Sequence, residues 1–86
     1  MSDSRPAIEV FTQDHCTSCK RAERFLVERG VTFSLRNVTN DAAALEEISA
    51  RGFMETPVTR IGDQWVSGFR RRKLAKLIDQ LEQPVG

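Results

Sequence analysis

Apolar and polar positions follow two different periods along the chain, and the switches between them mark its elements. Residues 7–11 alternate with Ile8 and Val10 on one face, which predicts a short strand. After the polar stretch Thr12-Gln13-Asp14-His15, the positions Cys19, Ala22, Phe25 and Leu26 recur at helical spacing. They predict a helix that begins at Cys16 or Thr17 and stops at Gly30. Val31, Phe33 and Leu35 alternate with Thr32, Ser34 and Arg36, a second strand over 31–38. Asn40 or Asp41 then caps a second helix with Ala44, Leu45 and Ile48 on its inner side, ending at Gly52. Two further strands, 57–61 and 64–66, flank Gly62-Asp63, a hairpin turn signal. Ser67-Gly68 breaks the pattern, and Leu74, Leu77, Ile78 and Leu81 then stand at i, i+3, i+4 and i+7 of a last amphipathic helix.

The order is thus β-α-β-α-β-β-α. A helix between the first two strands makes them a parallel pair with a right-handed crossover, and the hairpin adds an antiparallel pair. One mixed four-stranded sheet flanked by three helices, an α/β domain, is the economical packing. No repeat, linker or low-complexity stretch interrupts residues 1–86, so a single domain with a core over about 7–82 is expected.

Composition narrows the function classes. Thirteen Lys and Arg against twelve Asp and Glu leave a net charge of +1, unlike the strongly basic balance of a general nucleic-acid binder. No nucleic-acid partner is expected. The apolar share of 40% is that of a folded rather than a disordered chain. The longest apolar run, 42–45, is far short of the roughly 20 residues a membrane span needs. Met1 to Arg5 is polar with no apolar segment behind it, so a cytoplasmic location is expected, where thiols are kept reduced.

Two cysteines are too few to staple a secreted scaffold, and Cys16-Thr17-Ser18-Cys19 would close too small a loop to stabilise the fold. Their position suggests chemistry instead. Cys16 stands where a strand has ended and a helix begins, beside unpaired N–H groups and the positive end of the helix dipole. Both favour the thiolate, the form that attacks disulfides. Cys19 lies one turn on along the same face, within reach to displace the first sulfur from a mixed disulfide. A structural metal site competes with this reading, but zinc usually takes four ligands, and the chain offers two Cys and one His. A binding module with inert buried thiols is a third reading. His15, next to Cys16, is a candidate for tuning its thiol or passing a proton to a leaving thiolate.

These motifs resemble the glutaredoxin branch of the thioredoxin-fold redoxins, and within it the NrdH-redoxin group, over residues 8–81. Cys16-Thr17-Ser18-Cys19 follows the first strand, and Thr56-Pro57-Val58 stands before the third. Arg51-Gly52-Phe53 and Ser67-Gly68-Phe69-Arg70 are similar to NrdH-redoxins in particular. The resemblance implies a thioredoxin/glutaredoxin-like fold and a monomeric thiol–disulfide oxidoreductase with Cys16 and Cys19 catalytic. It also implies a cis bond before Pro57, facing the cysteines. Thr56, Pro57, Gly68, Phe69 and Arg70 would then contact substrate or partner, the Thr56 backbone by strand addition. No bound cofactor is implied: reducing equivalents would come from NADPH through thioredoxin reductase, or from glutathione. The targets would be protein or low-molecular-weight disulfides, ribonucleotide reductase among them. The alternative within the family is an iron–sulfur or metal carrier.

Three features depart from the pattern. Dithiol glutaredoxins carry Pro-Tyr between the cysteines, whereas Thr17-Ser18 stands here and the chain has no tyrosine. Many keep an acid at the start of the last helix to hold the glutathione amino group, where this chain has Arg70-Arg71-Arg72-Lys73. The first two departures tilt the expected reductant towards thioredoxin reductase. Trp65 lies three residues before Gly68 rather than two, which turns its ring to the other sheet face. Charge adds a last point. Residues 16–36 sum to +3 and 56–76 to +5; brought together as the resemblance implies, they would form a basic rim around Cys16, from which Arg70-Arg71-Arg72-Lys73 would steer an acidic partner.

Overall fold

A computed structural model describes residues 6–82. The elements are β1 (Ile8–Thr12), α1 (Thr17–Glu28), β2 (Ser34–Asn37), α2 (Ala42–Ala50), β3 (Val58–Ile61), β4 (Gln64–Ser67) and α3 (Arg71–Glu82). They form one sheet in the order β2-β1-β3-β4, with β1 and β2 parallel and the other two pairs antiparallel. The expected order and the mixed sheet are both present. Among the described residues no helix is long and apolar enough to cross a membrane.

Every residue of β1 is buried, because helices cover both faces of the sheet. Ile8 and Val10 point to one side, where they meet Leu26 of α1 and Leu74 and Ile78 of α3. Phe11 points to the other and packs with Ala44 and Ile48 of α2. The period-2 pattern of the strand therefore feeds two cores, one large and one small.

Four expectations change. The second strand is shorter than 31–38: the Val31 N–H is spent on the Leu26 carbonyl (3.4 Å), and the ladder starts only at Ser34, opposite Glu9. Val31 and Phe33 still pack on the larger core from outside the sheet. Leu35 is 49% exposed, since β2 is an edge strand that α1 does not fully cover. Leu45 is 47% exposed because α2 meets the sheet through Ala44 and Ile48, one turn apart, with Leu45 at the margin. Leu81 is 43% exposed and ends α3 beside the β3–β4 turn rather than over the sheet.

Cross-strand pairing places charge inside the smaller core. Glu9 and Arg60 are register partners on the α2 face and both are buried. Arg60 Nε donates to Glu9 Oε1 (3.0 Å), and its guanidinium also donates to the carbonyls of Gly62 and Pro6. Arg36 approaches the second Glu9 oxygen (3.6 Å) and links it to Asp41 and Glu47.

Asp41 starts α2 by accepting the Ala44 N–H (3.0 Å). That bond first, and the Arg36 guanidinium second, hold its carboxyl below the ordinary value of 3.8. A depressed carboxyl adds stability above the unfolded-state value and loses it as pH falls through the folded-state value. Asp41→Asn keeps a capping oxygen but removes the charge. The variant is expected to melt lower at neutral pH and to lose less of its melting temperature below about pH 4 than the parent does. Parallel declines in thermal melts followed by circular dichroism would contradict this.

Candidate active site

Cys16 is the N-cap residue of α1, a position usually filled by an oxygen-bearing side chain. Here sulfur does the capping: Cys16 Sγ accepts the Cys19 N–H at 3.2 Å. The same geometry brings the two cysteines together, with Cα atoms 5.2 Å apart, and they form a disulfide. Their environments differ. Cys16 is half-buried at the helix start, while Cys19 is fully buried on the inner face of α1. Once the bond is reduced, the Cys19 N–H that caps the helix becomes a donor to a Cys16 thiolate, a stronger charge-assisted bond.

The loop ahead of Cys16 is braced from β2. Asn37 donates to Asp14 Oδ1 (2.9 Å), and the Asp14 N–H donates to Thr39 Oγ1 (3.0 Å). Those bonds set the approach of the chain to α1. His15 adopts φ 59, stands exposed, and makes no hydrogen bond to the Cys16 sulfur. Lys20 is exposed and pairs with Glu23 (4.0 Å).

Across from the sulfur lies the segment before β3. The Thr56–Pro57 bond is cis, and the Thr56 carbonyl oxygen is 3.8 Å from Cys16 Sγ. The Thr56 hydroxyl donates to Gln13 Oε1 (2.8 Å) and sits 3.6 Å from the same sulfur. Gly68 joins this cluster through its N–H, which donates to the Pro57 carbonyl (2.8 Å). Its φ of +80° is a conformation that L side chains rarely adopt, which accounts for glycine at this turn.

Phe69 and Arg70 point elsewhere. The Phe69 ring packs edge-on against Phe25 of α1 (6.0 Å), and the exposed Arg70 donates to the Ser67 carbonyl (3.3 Å). Trp65 lies on the α2 face, stacked on Phe53 (6.0 Å) and beside Phe11 (5.7 Å), with the Arg51 guanidinium 4.2 Å from its ring. It packs the smaller core.

Pattern reading missed Gln13. It reads as one polar residue in a polar loop, and its bond to Thr56 spans 43 positions, which local periodicity does not register. Sequence reading also left unmarked a groove of about 240 Å³ that runs from Gln13 and Thr56 past Leu45, Phe53 and Met54. Met54, 93% exposed, is its outer wall.

Strand order and cysteine placement define a class, the small thiol–disulfide oxidoreductases built on the thioredoxin fold. A family model described as Glutaredoxin matches residues 8–66. The glutaredoxin-like protein NrdH of Escherichia coli K12 is 34% identical over 70 residues, which are 81% of this chain and 86% of that protein. Among solved structures, the E. coli NrdH-redoxin superposes with a TM-score of 0.78 at 30% identity, covering 92% of this chain and 97% of that one. The thioredoxin-like protein BC3987 gives 0.77 at 34% identity, over 81% and 97% of the two chains. This chain belongs to the glutaredoxin family, with NrdH-type relatives, and Cys16 and Cys19 are its redox pair. A cluster- or metal-carrier role is not favoured beside these redox relatives. Among the described residues no group of three or more His, Cys, Asp and Glu is placed to hold a metal ion.

Proposed function

We propose that the protein is a dithiol carrier in which Cys16 attacks and Cys19 resolves, recharged by a thioredoxin reductase rather than by glutathione. One observation carries the division of labour: Cys16 is accessible and accepts a helix N-terminal N–H, whereas its partner Cys19 is fully buried. The Cys16 thiolate attacks one sulfur of a substrate disulfide, forms a mixed disulfide and expels the other sulfur as a thiolate. The Cys19 thiolate then attacks Cys16 Sγ and releases the second substrate thiolate. Two electrons have passed to the substrate, and the Cys16–Cys19 disulfide remains. The Thr56 carbonyl, 3.8 Å from the sulfur, is an acceptor for the backbone N–H of an extended substrate.

Three things support the reductase as electron source. Thr17 and Ser18 are exposed, and neither offers the aromatic wall of a Pro-Tyr pair. At the start of α3, where an acid would hold the glutathione amino group, the first turn has no acid. The E. coli NrdH-redoxin, a glutaredoxin-like protein, has a thioredoxin-like activity profile. NADPH would then be the ultimate donor, and ribonucleotide reductase is the protein target that the NrdH resemblance suggests.

The test compares two recharging systems on the oxidised protein. NADPH with thioredoxin reductase is expected to give a kcat/KM at least about tenfold above that of glutathione with glutathione reductase and NADPH. Equal rates, or faster reduction by glutathione, would overturn the choice of reductant.

A further inference from the structure

We propose that the groove between α1 and the start of α3 docks an acidic segment flanking the partner's disulfide. The proposal rests on the disulfide-exchange reading of Cys16 and Cys19, and it adds the chemistry of the chain that delivers the disulfide. The groove holds about 260 Å³ and is lined by Arg21, Arg24, Phe25, Glu28, Phe69 and Arg71. Its base is apolar, the Phe25 and Phe69 rings meeting edge to face at 6.0 Å. The Arg71 guanidinium stands 5.9 Å from the Phe25 ring.

The fold treats its arginines unequally. Arg29 pairs with Asp79 and so ties α1 to α3, while Arg36 and Arg60 are committed to carboxylates around the smaller core. Arg21, Arg24 and Arg71 make no ion pair with a described residue. They gather in one groove, three guanidinium groups against the single carboxylate of Glu28. The first turn of α3 carries no acid, so no carboxylate of its own offsets the helix dipole there. An incoming carboxylate gains charge-assisted, bidentate pairing with arginine and relieves the crowding of like charge.

The groove also runs along the helix that carries the redox pair. Phe69 follows Gly68, whose N–H is bonded to the Pro57 carbonyl (2.8 Å). Arg21 lies five residues beyond Cys16, a rise of ~7.5 Å along the helix. That is the length of two or three extended residues, which places the partner's acids about that far from its reacting cysteine.

The experiment uses paired disulfide peptides that differ only in three flanking residues, Glu in one and Gln in the other. The parent protein is expected to reduce the Glu peptide about tenfold faster in kcat/KM at low ionic strength. Added salt should shrink that ratio. The Arg21→Gln/Arg71→Gln variant should bring the ratio near one, the Gln peptide serving as internal reference. Arg72→Gln/Lys76→Gln removes the same charge from another face of α3 and should keep the full ratio. Equal reduction of both peptides by the parent overturns the docking proposal, as does a preference that survives in the Arg21/Arg71 variant or vanishes equally in both variants. Reduction of neither peptide would instead overturn the disulfide-exchange reading itself.

Discussion

Cys16→Ser is expected to lower disulfide reduction by at least about a thousandfold, because a serine hydroxyl is far less acidic than a thiol and among the described residues no imidazole or carboxylate is hydrogen-bonded to this position. The geometry predicts a different defect for Cys19→Ser. Its Cys16 would still attack, since the N–H that meets Cys16 Sγ at 3.2 Å belongs to the backbone of residue 19 and survives the substitution. Without the buried resolving thiol, the mixed disulfide would accumulate at one equivalent of substrate per protein. Intact mass measured without reductant, beside steady-state rates, reads both effects. Turnover by Cys16→Ser, or an adduct trapped on Cys19 in that variant with none on Cys16 in Cys19→Ser, would reverse the assigned roles.

The second large effect concerns stability. Arg60→Leu should cost about 3 kcal/mol, because it takes a charged donor away from the buried Glu9 carboxylate and from two backbone carbonyls. Arg36, 3.6 Å from the other Glu9 oxygen, keeps the loss from being larger. Small domains hold on the order of 5–15 kcal/mol in total, so the variant would lose between about a fifth and three fifths of that reserve. Glu9→Leu combined with Arg60→Leu should recover much of the loss, since apolar partners of similar size replace buried ion pairs at little net cost. Urea denaturation of the three proteins decides. A loss below about 1 kcal/mol in the single variant would mean that water reaches Glu9 and the pair is effectively exposed.

What the sequence made legible follows from period and spacing. Leu74 and Ile78 stand out because α3 has one buried stripe, and a single stripe is what helical periodicity reports. The cysteines were legible for a related reason: helix spacing puts Cys16 and Cys19 on one turn whatever surrounds them. Coverage was not legible. Leu35 and Leu45 fit their patterns and are nevertheless about half exposed, since whether a neighbouring helix reaches them depends on packing between distant segments. Glu9 and Arg60 failed in the opposite sense. Each looks like an outward-facing charge in a strand, and only the register that sets them face to face explains their burial. The contact of Thr56 with Cys16 is equally non-local, 40 positions apart in the chain, and Gln13 shares in it only through its bond to Thr56.

Trp65 carries a consequence beyond packing. The chain has one tryptophan and no tyrosine, so its tryptophan emission comes from a single ring with no tyrosine beneath it. That ring is clasped between Phe53 and the Arg51 guanidinium at the end of α2, on the sheet face opposite α1 and α3. Tryptophan fluorescence from this protein therefore reports how the end of α2 is seated on the sheet.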